Sequence, residues 1–547
     1  MCGIIGYTGT KQVKDILIDG LQKLEYRGYD SAGIAIHNGG LKVIKSPGKV
    51  SRLVELLPPE LDSTTGIAHT RWATHGEPSE VNAHPHTSGS GKLVMVHNGI
   101  IENAAVIEAY LKDKGYVFVS ETDTEILLNL IEYEYDRYNS DILKALTETF
   151  KEIEGSYALA IIEKGRPGRI TMCRKDSPLI MGLDDTGYFV ASDIYAVSDY
   201  TDRFIFPDND DIIIADKEEG LRVYDGNGQS KKLEVRQFMA KKKNPDRTGY
   251  EHFMLKEIFE QPKIISDLAE SELIIEGRAP DGSTLSETLP RIKRIIILGC
   301  GTSWHAGLVG RYLIEKHVRI PVNVEYASEF RYRDPVIEPG DLVISISQSG
   351  ETADTIAGNN LARRAGAFTF GIINVMNSTL GRDTDFQLYL EAGDEIGVAS
   401  TKAYTAQIVQ LSRLTAMFAD IRGNGVKANE MSEALTKISS GMKSVLAGAD
   451  KISELASRYA FSNNFMFLGR GFNFPTALEG ALKLKEISYI HAEGYPGAEM
   501  KHGPIALIDI NFPTLVVLTD KESKAKMMSN IKEIKARKGR RNSSYIR

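Results

Sequence analysis

The sequence lacks several features that would assign it to a special class of protein. Its three cysteines, Cys2, Cys173 and Cys300, are too few and too scattered for a disulfide framework and favour a reducing compartment. It has no run of about 18 apolar residues and no signal peptide, so we expect a cytoplasmic protein. Its 66 basic residues do not exceed its 73 acidic ones, and the net charge of −7 argues against nucleic acid as a partner.

What is present is the composition of a globular protein. Of the 547 residues, 42% are hydrophobic and 25% are charged. This length predicts roughly three or four domains of ordinary size.

The second residue is a cysteine. If Met1 is removed, which the small Cys2 side chain permits, Cys2 carries both a thiol and a free α-amine. The thiolate is the reactive form, and an amine with an ordinary pKa of about 8 can take its proton. Cys2 could therefore supply both nucleophile and base. On position alone, a small buried hydrophobe is the simpler interpretation.

Residues 1–240 predict an antiparallel α+β layered domain, because many short strands alternate with few helices. Three polar clusters interrupt this pattern. Arg71, Trp72, Thr74 and His75 fall within five residues. Asn98-Gly99, at the end of a strand predicted over 93–98, offers an amide and a flexible backbone N–H, which are the parts of an oxyanion hole.

The third polar cluster consists of charged residues that could recognise the charges of a substrate. Arg27, Arg71 and Asp123 would suit a substrate that carries both a carboxylate and an ammonium group, as an amino acid does. The run from Ser120 to Glu125 predicts the capped start of a helix.

Five motifs in this order resemble the class II glutamine amidotransferase domain, an N-terminal-nucleophile αββα sandwich. They are Cys2-Gly3-Ile4, EYRGYDSAG, TRWATHG, VHNGIIEN and SETDTE. The resemblance implies that Cys2 attacks the glutamine amide with its own α-amine as base. It also implies that Asn98 and the Gly99 N–H stabilise the oxyanion, and that Arg71 and Asp123 bind the glutamine carboxylate and amine. It places Arg27, Trp72, Thr74 and His75 in the lining of the pocket, with Trp72 as gate of an ammonia channel.

Histidines in the same region raise the question of a metal site. They are His69, His75, His84, His86 and His97. Metal sites usually show short, regular ligand spacing or thiolate partners, so surface or pocket polarity is the better interpretation. We expect no metal and no cofactor.

The second half predicts parallel, doubly wound α/β domains, because strands alternate with helices from residue 291. A basic stretch from residue 238 precedes it, and we place a linker and a helix at 239–285. Gly299 and Gly301 suit a dinucleotide fold, but the third glycine of that fingerprint is absent. A long helix is predicted over 397–418.

Two hydroxyl-rich turns favour a phosphate ligand instead, although Ser and Thr are also ordinary helix caps. They are Thr302-Ser303 and the turn made by Ser347, Gln348, Ser349 and Thr352. Backbone N–H groups and hydroxyls at helix N-termini bind phosphate without a lysine.

The chain also repeats itself. Residues 170 positions apart are identical at several places: Leu298, Gly299 and Gly301 correspond to Leu468, Gly469 and Gly471. In the second copy Glu479, Lys483 and Glu486 share a helix face, and His502 follows. An acid, a lysine and a histidine near a phosphosugar would suit aldose–ketose proton transfer, although a charged face is usually just solvated.

These motifs resemble the sugar isomerase (SIS) domains of the isomerising glutamine–fructose-6-phosphate aminotransferase family, also called glucosamine-6-phosphate synthases. They are CGTS, SQSGET, GVASTKAYT and EGALKLKEISYIHAEGYPGAEMKHGP. The resemblance implies transfer of the glutamine amide nitrogen to fructose 6-phosphate, the first step of amino sugar biosynthesis, in a homodimer. It implies that Glu486 moves the proton between C1 and C2, that Lys483 assists, and that His502 of a partner subunit opens the ring. It assigns the sugar phosphate to Thr302, Ser303, Ser347, Gln348, Ser349 and Thr352, with Ser400 also in the sugar site.

The expected domains are the amidotransferase domain at 2–238, SIS domain 1 at 286–425 and SIS domain 2 at 455–547. After Gly539 the apolar strand expected from the first copy does not follow, and the family's C-terminal tail with its Schiff-base lysine is not found. We therefore expect a truncated second SIS domain, with glutaminase residues intact and sugar amination impaired. The alternatives are a sugar-phosphate-binding protein with residual glutaminase activity and, less favoured, amide transfer to a phosphoribosyl acceptor.

Overall fold

A computed structural model describes residues 2–25, 28–59, 61–72, 76–232, 234–237, 247–376, 378–423, 425–519 and 521–537. The chain divides into two compact units, residues 1–244 and 245–547. None of the helices described is long and apolar enough to cross a membrane.

The first unit contains two antiparallel sheets. Its strands are β1 (Gly3–Gly9), β2 (Ser31–His37), β3 (Leu41–Pro47), β4 (Thr65–Arg71), β5 (His86–Thr87), β6 (Leu93–Ile101), β7 (Gly155–Glu163), β8 (Arg169–Lys175), β9 (Ile180–Asp184), β10 (Gly187–Ala191), β11 (Arg203–Ile205), β12 (Ile212–Asp216), β13 (Gly220–Tyr224) and β14 (Arg236–Gln237). One sheet has the order β14-β11-β9-β10-β1-β4-β2-β3, and the other has the order β13-β12-β8-β7-β6-β5.

Helices cover the outer face of each sheet. They are α1 (Val13–Leu24), α2 (Val50–Leu56), α3 (Ala104–Asp113), α4 (Asp123–Arg137) and α5 (Ile142–Glu152). Successive strand residues point to opposite faces: Ile4 packs between the sheets with Val96, whereas Ile5 packs with Leu17 of α1. The αββα sandwich expected from the resemblance is confirmed.

The second unit begins with a parallel sheet that has one short antiparallel edge strand, β15. The strands are β15 (Glu276–Gly277), β16 (Arg294–Gly299), β17 (Val322–Tyr326), β18 (Asp341–Ser347), β19 (Phe368–Ile373) and β20 (Phe386–Tyr389), in the order β15-β20-β19-β18-β16-β17. The helices are α6 (Phe253–Glu270), α7 (Leu285–Thr288), α8 (Thr302–His317), α9 (Ala327–Phe330), α10 (Ala353–Arg364), α11 (Thr379–Asp383), α12 (Lys402–Ile421), α13 (Gly425–Leu446) and α14 (Ala449–Tyr459). Ile265 of α6 lies in the same core as Ile297 of β16.

The predicted repeat is present. Strand β21 (Asn464–Gly469) is followed by α15 (Asn473–Ser488), β22 (His491–Pro496), β23 (Thr514–Val516) and α16 (Lys524–Ala536). The sheet order β22-β21-β23 matches that of β17-β16-β18. Gly301 and Gly471, which the repeat pairs, both have a φ of +52°.

Two sequence-based boundaries are wrong. Helix α12 begins at Lys402 and not at Gly397, because Glu257 and Glu395 bind the backbone N–H groups of Gly397 and Thr401 and hold this segment as a loop. Strand β6 continues to Ile101, paired with β7 as far as Gly155, so Asn98 and Gly99 lie within the strand and not at its end.

Candidate active sites

Cys2 lies immediately before β1, beside the end of β4. The pairing of Gly3 with Thr70 brings Cys2 next to Trp72, whose backbone N–H donates to Cys2 Sγ at 3.3 Å. Burial raises the pKa of the Cys2 thiol, while the Trp72 hydrogen bond and the charge of Arg71 oppose this shift. The sulfur is therefore a neutral thiol near pH 7, and it needs a base before it can attack.

Asn98 reaches Cys2 from the second sheet. Its Nδ2 donates to the Cys2 carbonyl oxygen at 3.2 Å, and its Oδ1 lies 2.9 Å from His69 Nε2. Gly99 follows with a φ of +137°, a value that L-residues rarely adopt. The Asn98 amide thus lies against the backbone of Cys2, and the next residue of the strand has a conformation that favours glycine.

The EYRGYDSAG segment packs against the same corner. A Cβ on Gly28 would lie 2.8 Å from both Arg71 C and Trp72 N, so only glycine permits this approach. The Trp72 ring is 39% exposed and meets the Tyr29 ring edge-on at 5.5 Å. These contacts place the two motifs side by side.

Arg71 and Asp123 are both buried, with 3% and 9% of their surface exposed. Burial lowers the pKa of Arg71, and the charges of Cys2 and Asp123 oppose that shift. Asp123 begins α4, capped by the Thr122 side chain, and its Oδ2 accepts from Ile101 N–H at 2.8 Å. Arg27, Thr74 and His75 lie outside the described residues.

Four of these histidines, His69, His84, His86 and His97, form a buried cluster and are not surface groups. His69 and His84 stack at 4.3 Å, and His84 meets His86 at 4.8 Å. Burial lowers the pKa of His69 to about 3 and the pKa values of His84 and His86 well below 6.5. Across the described ranges, no group of three or more His, Cys, Asp or Glu side chains could hold a metal ion.

In the second unit, the two hydroxyl-rich turns lie at the carboxyl ends of neighbouring parallel strands, β16 and β18. In this sheet order, that edge is the point where ligands bind. Ser303 Oγ accepts from Gln407 Nε2 at 3.0 Å. The second turn is closed by its own hydroxyls: Ser347 Oγ accepts from Gly350 N–H at 3.0 Å and Ser349 Oγ from Glu351 N–H at 3.1 Å.

The remaining residues of this turn line the same edge. The hydroxyls of Thr352 and Ser347 lie 3.2 Å apart, and the carbonyl oxygen of Gln348 accepts from Asn374 N–H at 3.2 Å. The turn is thereby shaped by its own hydroxyls and by the backbone of the next strand.

Helix α15 brings an acid–lysine cluster to the start of α8. The Lys483 ammonium lies 2.6 Å from Glu486 Oε2 and donates to Thr302 Oγ1 at 3.0 Å. Thr302 in turn donates to Glu479 Oε1 at 3.0 Å. The predicted phosphate turn and the predicted proton-transfer residues therefore meet through Thr302.

Glu479 has a partner that sequence reasoning missed. His305 Nδ1 donates to Glu479 Oε2 at 2.7 Å, and both side chains are buried. His305 follows Thr302 by three residues and therefore shares its helix face, which is the only signal in the sequence.

Two predicted residues lie apart from this cluster. Ser400 donates to Glu395 Oε2 at 2.8 Å in the loop before α12. His502 follows the turn Glu499–Lys501 and is exposed. Among the described side chains, no hydrogen bond or ion pair joins either residue to Lys483 or Glu486.

Comparisons with known proteins agree with this geometry. A family model of the glutamine amidotransferase domain matches residues 69–199, and one of the SIS domain matches residues 288–417 and 459–542. The fold and sites thus define an N-terminal-nucleophile glutamine amidotransferase joined to two tandem SIS domains.

Full-length relatives identify the family. The chain is 50% identical over 548 residues to glutamine–fructose-6-phosphate aminotransferase (isomerizing) from Bacteroides thetaiotaomicron, covering 99% of this chain and 89% of that protein. It is 46% identical over 552 residues to the protein of the same name from Chlorobaculum tepidum, covering 99% and 89%. The C-terminal domain of glucosamine-fructose-6-phosphate aminotransferase from Francisella tularensis matches with a TM-score of 0.52 and 42% identity, covering 54% of this chain and 84% of that chain.

The chain belongs to the isomerising glutamine–fructose-6-phosphate aminotransferase family. This membership supports the enzyme interpretation and not a sugar-phosphate-binding protein.

Proposed function

We propose that this protein transfers the amide nitrogen of L-glutamine to D-fructose 6-phosphate and forms L-glutamate and D-glucosamine 6-phosphate. The proposal depends above all on one arrangement: the backbone N–H of Trp72 and the amide of Asn98 both lie at Cys2. The SIS repeats supply a site for the second substrate.

In the first unit, removal of Met1 frees the α-amine of Cys2 to accept the thiol proton. The sulfur then bonds to the glutamine Cδ, and the carbonyl oxygen becomes an oxyanion held by Asn98 Nδ2 and Gly99 N–H. Collapse breaks the C–N bond, and the α-amine gives its proton to the departing ammonia. Water hydrolyses the thioester and leaves glutamate and a free thiol.

Two buried charges recognise the ends of glutamine. The Arg71 guanidinium binds the α-carboxylate, since a forked donor matches two carboxylate oxygens. Asp123 binds the α-ammonium group, and its bond from Ile101 N–H fixes the carboxylate at the start of α4. Trp72 lines the pocket, and Arg27, Thr74 and His75 complete it in this proposal.

In the second unit, the hydroxyls of Ser303, Ser347, Ser349 and Thr352, with Gln348, bind the sugar phosphate at the N-termini of α8 and α10. Glu486 moves a proton between C1 and C2, and Lys483, 2.6 Å away, stabilises its carboxylate. Thr302 links this pair to the phosphate turn, and Ser400 lies in the loop that lines the sugar.

His502 opens the sugar ring from the partner subunit of a homodimer, a role supported by its exposure and by the lack of a described contact to Glu486. We place this dimer in the cytoplasm. We also propose domain bounds of 2–238, 286–425 and 455–547, with 239–285 between them. The expectation that sugar amination is impaired stays a prediction.

Two variants separate the halves. Cys2→Ala should abolish glutamate release but leave the isomerisation of fructose 6-phosphate to glucose 6-phosphate. Glu486→Gln should abolish this isomerisation but leave glutamate release. Glutamate formation is measured with glutamate dehydrogenase, and isomerisation with glucose-6-phosphate dehydrogenase. Glutamate release by Cys2→Ala at the wild-type rate would contradict the proposal.

A further inference from the structure

A cluster of buried histidines lies behind the proposed oxyanion site, and the reaction above does not use it. His69 is on β4, His84 precedes β5, His86 is on β5 and His97 is on β6, and their exposed fractions are 0%, 5%, 4% and 3%. Buried imidazoles are costly unless their polar atoms find partners. The cluster therefore calls for an explanation beyond packing.

The hydrogen bonds of His69 fix its tautomer. Nε2 lies 3.1 Å from the carbonyl oxygen of His97 and 2.9 Å from Asn98 Oδ1. A carbonyl oxygen can only accept, so Nε2 must carry the hydrogen. Burial keeps the imidazole neutral by lowering its pKa to about 3, so Nδ1 carries none.

This tautomer then fixes the amide of Asn98. Because Nε2–H is a donor, the Asn98 atom that faces it must be the oxygen. The amide nitrogen therefore faces the other way and donates to the Cys2 carbonyl oxygen at 3.2 Å. A flipped amide would set its NH₂ group against the Nε2–H, and Asn98 is only 8% exposed, so solvent offers little compensation.

We propose that His69 is the positioning residue of the oxyanion hole: it locks the Asn98 side chain with its N–H groups facing the Cys2 backbone, on the side of the reacting residue. The inference rests on the proposed glutaminase reaction and adds a residue to it. The hydrogen bonds of His69 go to Asn98 and His97, so in the proposed reaction it acts through Asn98 and not on the reacting atoms. Its contribution is to remove the amide orientation that would present an oxygen to a developing oxyanion.

Two substitutions at His69 test this role. In His69→Gln, Nε2 is as many bonds from the backbone as the imidazole Nε2, so a donor to Asn98 is retained. His69→Leu removes that donor. We expect His69→Leu to lower the glutaminase kcat roughly 10- to 100-fold with KM for glutamine changed less than about threefold, and His69→Gln to restore most of the rate.

A double-mutant cycle separates positioning from general damage. In an Asn98→Ala background there is no amide to orient, so adding His69→Leu should lower kcat no further. Additive losses would mean that His69 acts elsewhere. The γ-aldehyde analogue of glutamine, which adds to Cys2 as a tetrahedral adduct, should bind His69→Leu more weakly by the factor lost in kcat, with glutamate binding unchanged.

A comparison of wild type with His69→Gln covers the case in which His69→Leu does not fold. With ¹⁵N-labelled histidine, the resonances absent from His69→Gln belong to His69. They should show a neutral ring protonated at Nε2 from pH 5 to 9. An Nδ1–H tautomer or an imidazolium would overturn the inference. A wild-type protein without glutaminase activity would instead refute the proposed function.

Discussion

Gly99→Ala tests whether the backbone of the oxyanion strand is as constrained as the structure shows. Gly99 has a φ of +137°, and a Cβ there would lie 2.1 Å from the Ser156 carbonyl oxygen and 2.9 Å from Tyr157 Cα, both on the paired strand β7. Because Ser156 and Tyr157 contribute backbone atoms, no rotamer change relieves the collision. To bring the 2.1 Å contact to the 3.0 Å below which real Cβ contacts essentially do not occur, strands β6 and β7 would have to separate by about 0.9 Å.

The free energy by which Gly99→Ala destabilises the first unit has two contributions, backbone conformation and overpacking. Holding an alanine in a sparsely populated backbone region costs about 1–3 kcal/mol, and overpacking costs about 1–3 kcal/mol more. Gly99→Ala should therefore destabilise the first unit by about 2–6 kcal/mol. In calorimetry of the whole chain, each kcal/mol should lower the melting temperature of the first unit by roughly 2–4 °C.

Gly91→Ala is the matched control. Gly91 precedes the same strand with a φ of +72°, and a Cβ there would have nothing within 4 Å. We expect a loss of about 1 kcal/mol and unchanged activity. Gly99→Ala should also lose glutaminase activity, because the displaced strand carries its N–H away from the oxyanion. A variant as stable and as active as wild type would refute the reasoning.

Three further predictions concern charges and donors. Asn98→Ala should lower the glutaminase kcat by about 10²–10³ with little change in KM, measured by steady-state glutamate release; an unchanged kcat would exclude it from the oxyanion hole. Glu479→Gln removes the carboxylate that accepts from His305 and Thr302, so phosphosugar isomerisation should fall while glutaminase stays normal; unaffected isomerisation would contradict this. The folded pKa of His69, about 3, lies below its unfolded value near 6.5, so its stabilising contribution is complete above pH 6.5 and is lost toward pH 3. When the pH falls from 7 to 4.5, the free energy of unfolding measured with urea should decrease less for His69→Gln than for wild type. Equal decreases would contradict the lowered pKa of His69.

Much of the fold follows from local pattern. Helix α1 was predictable because its buried residues recur three or four positions apart, and the repeat because strand and glycine turn return after 170 residues. The role of Cys2 stays a prediction: chain position alone favoured a small buried hydrophobe, and the five motifs of the amidotransferase resemblance reversed that interpretation.

The rest depends on contacts between distant residues. The loop before α12 contains no proline, and it is held by Glu257 of α6, 140 positions earlier in the sequence. In the sequence nothing distinguishes His69 from the other histidines, and only the fold brings β4 and β6 together so that His69 contacts Asn98. The Glu479–His305 pair joins residues 174 positions apart. Local patterns carry no information on such partners.

Transfer of nitrogen from one site to the other is the central claim, and an isotope measurement tests it most directly. The protein is supplied with fructose 6-phosphate and glutamine labelled with ¹⁵N in the side-chain amide, and the products are quantified by mass spectrometry. The account predicts that the glucosamine 6-phosphate formed carries ¹⁵N from the glutamine amide, in amounts that do not exceed the glutamate formed. Glutamate with the label only in free ammonium, and no amino sugar, would contradict it.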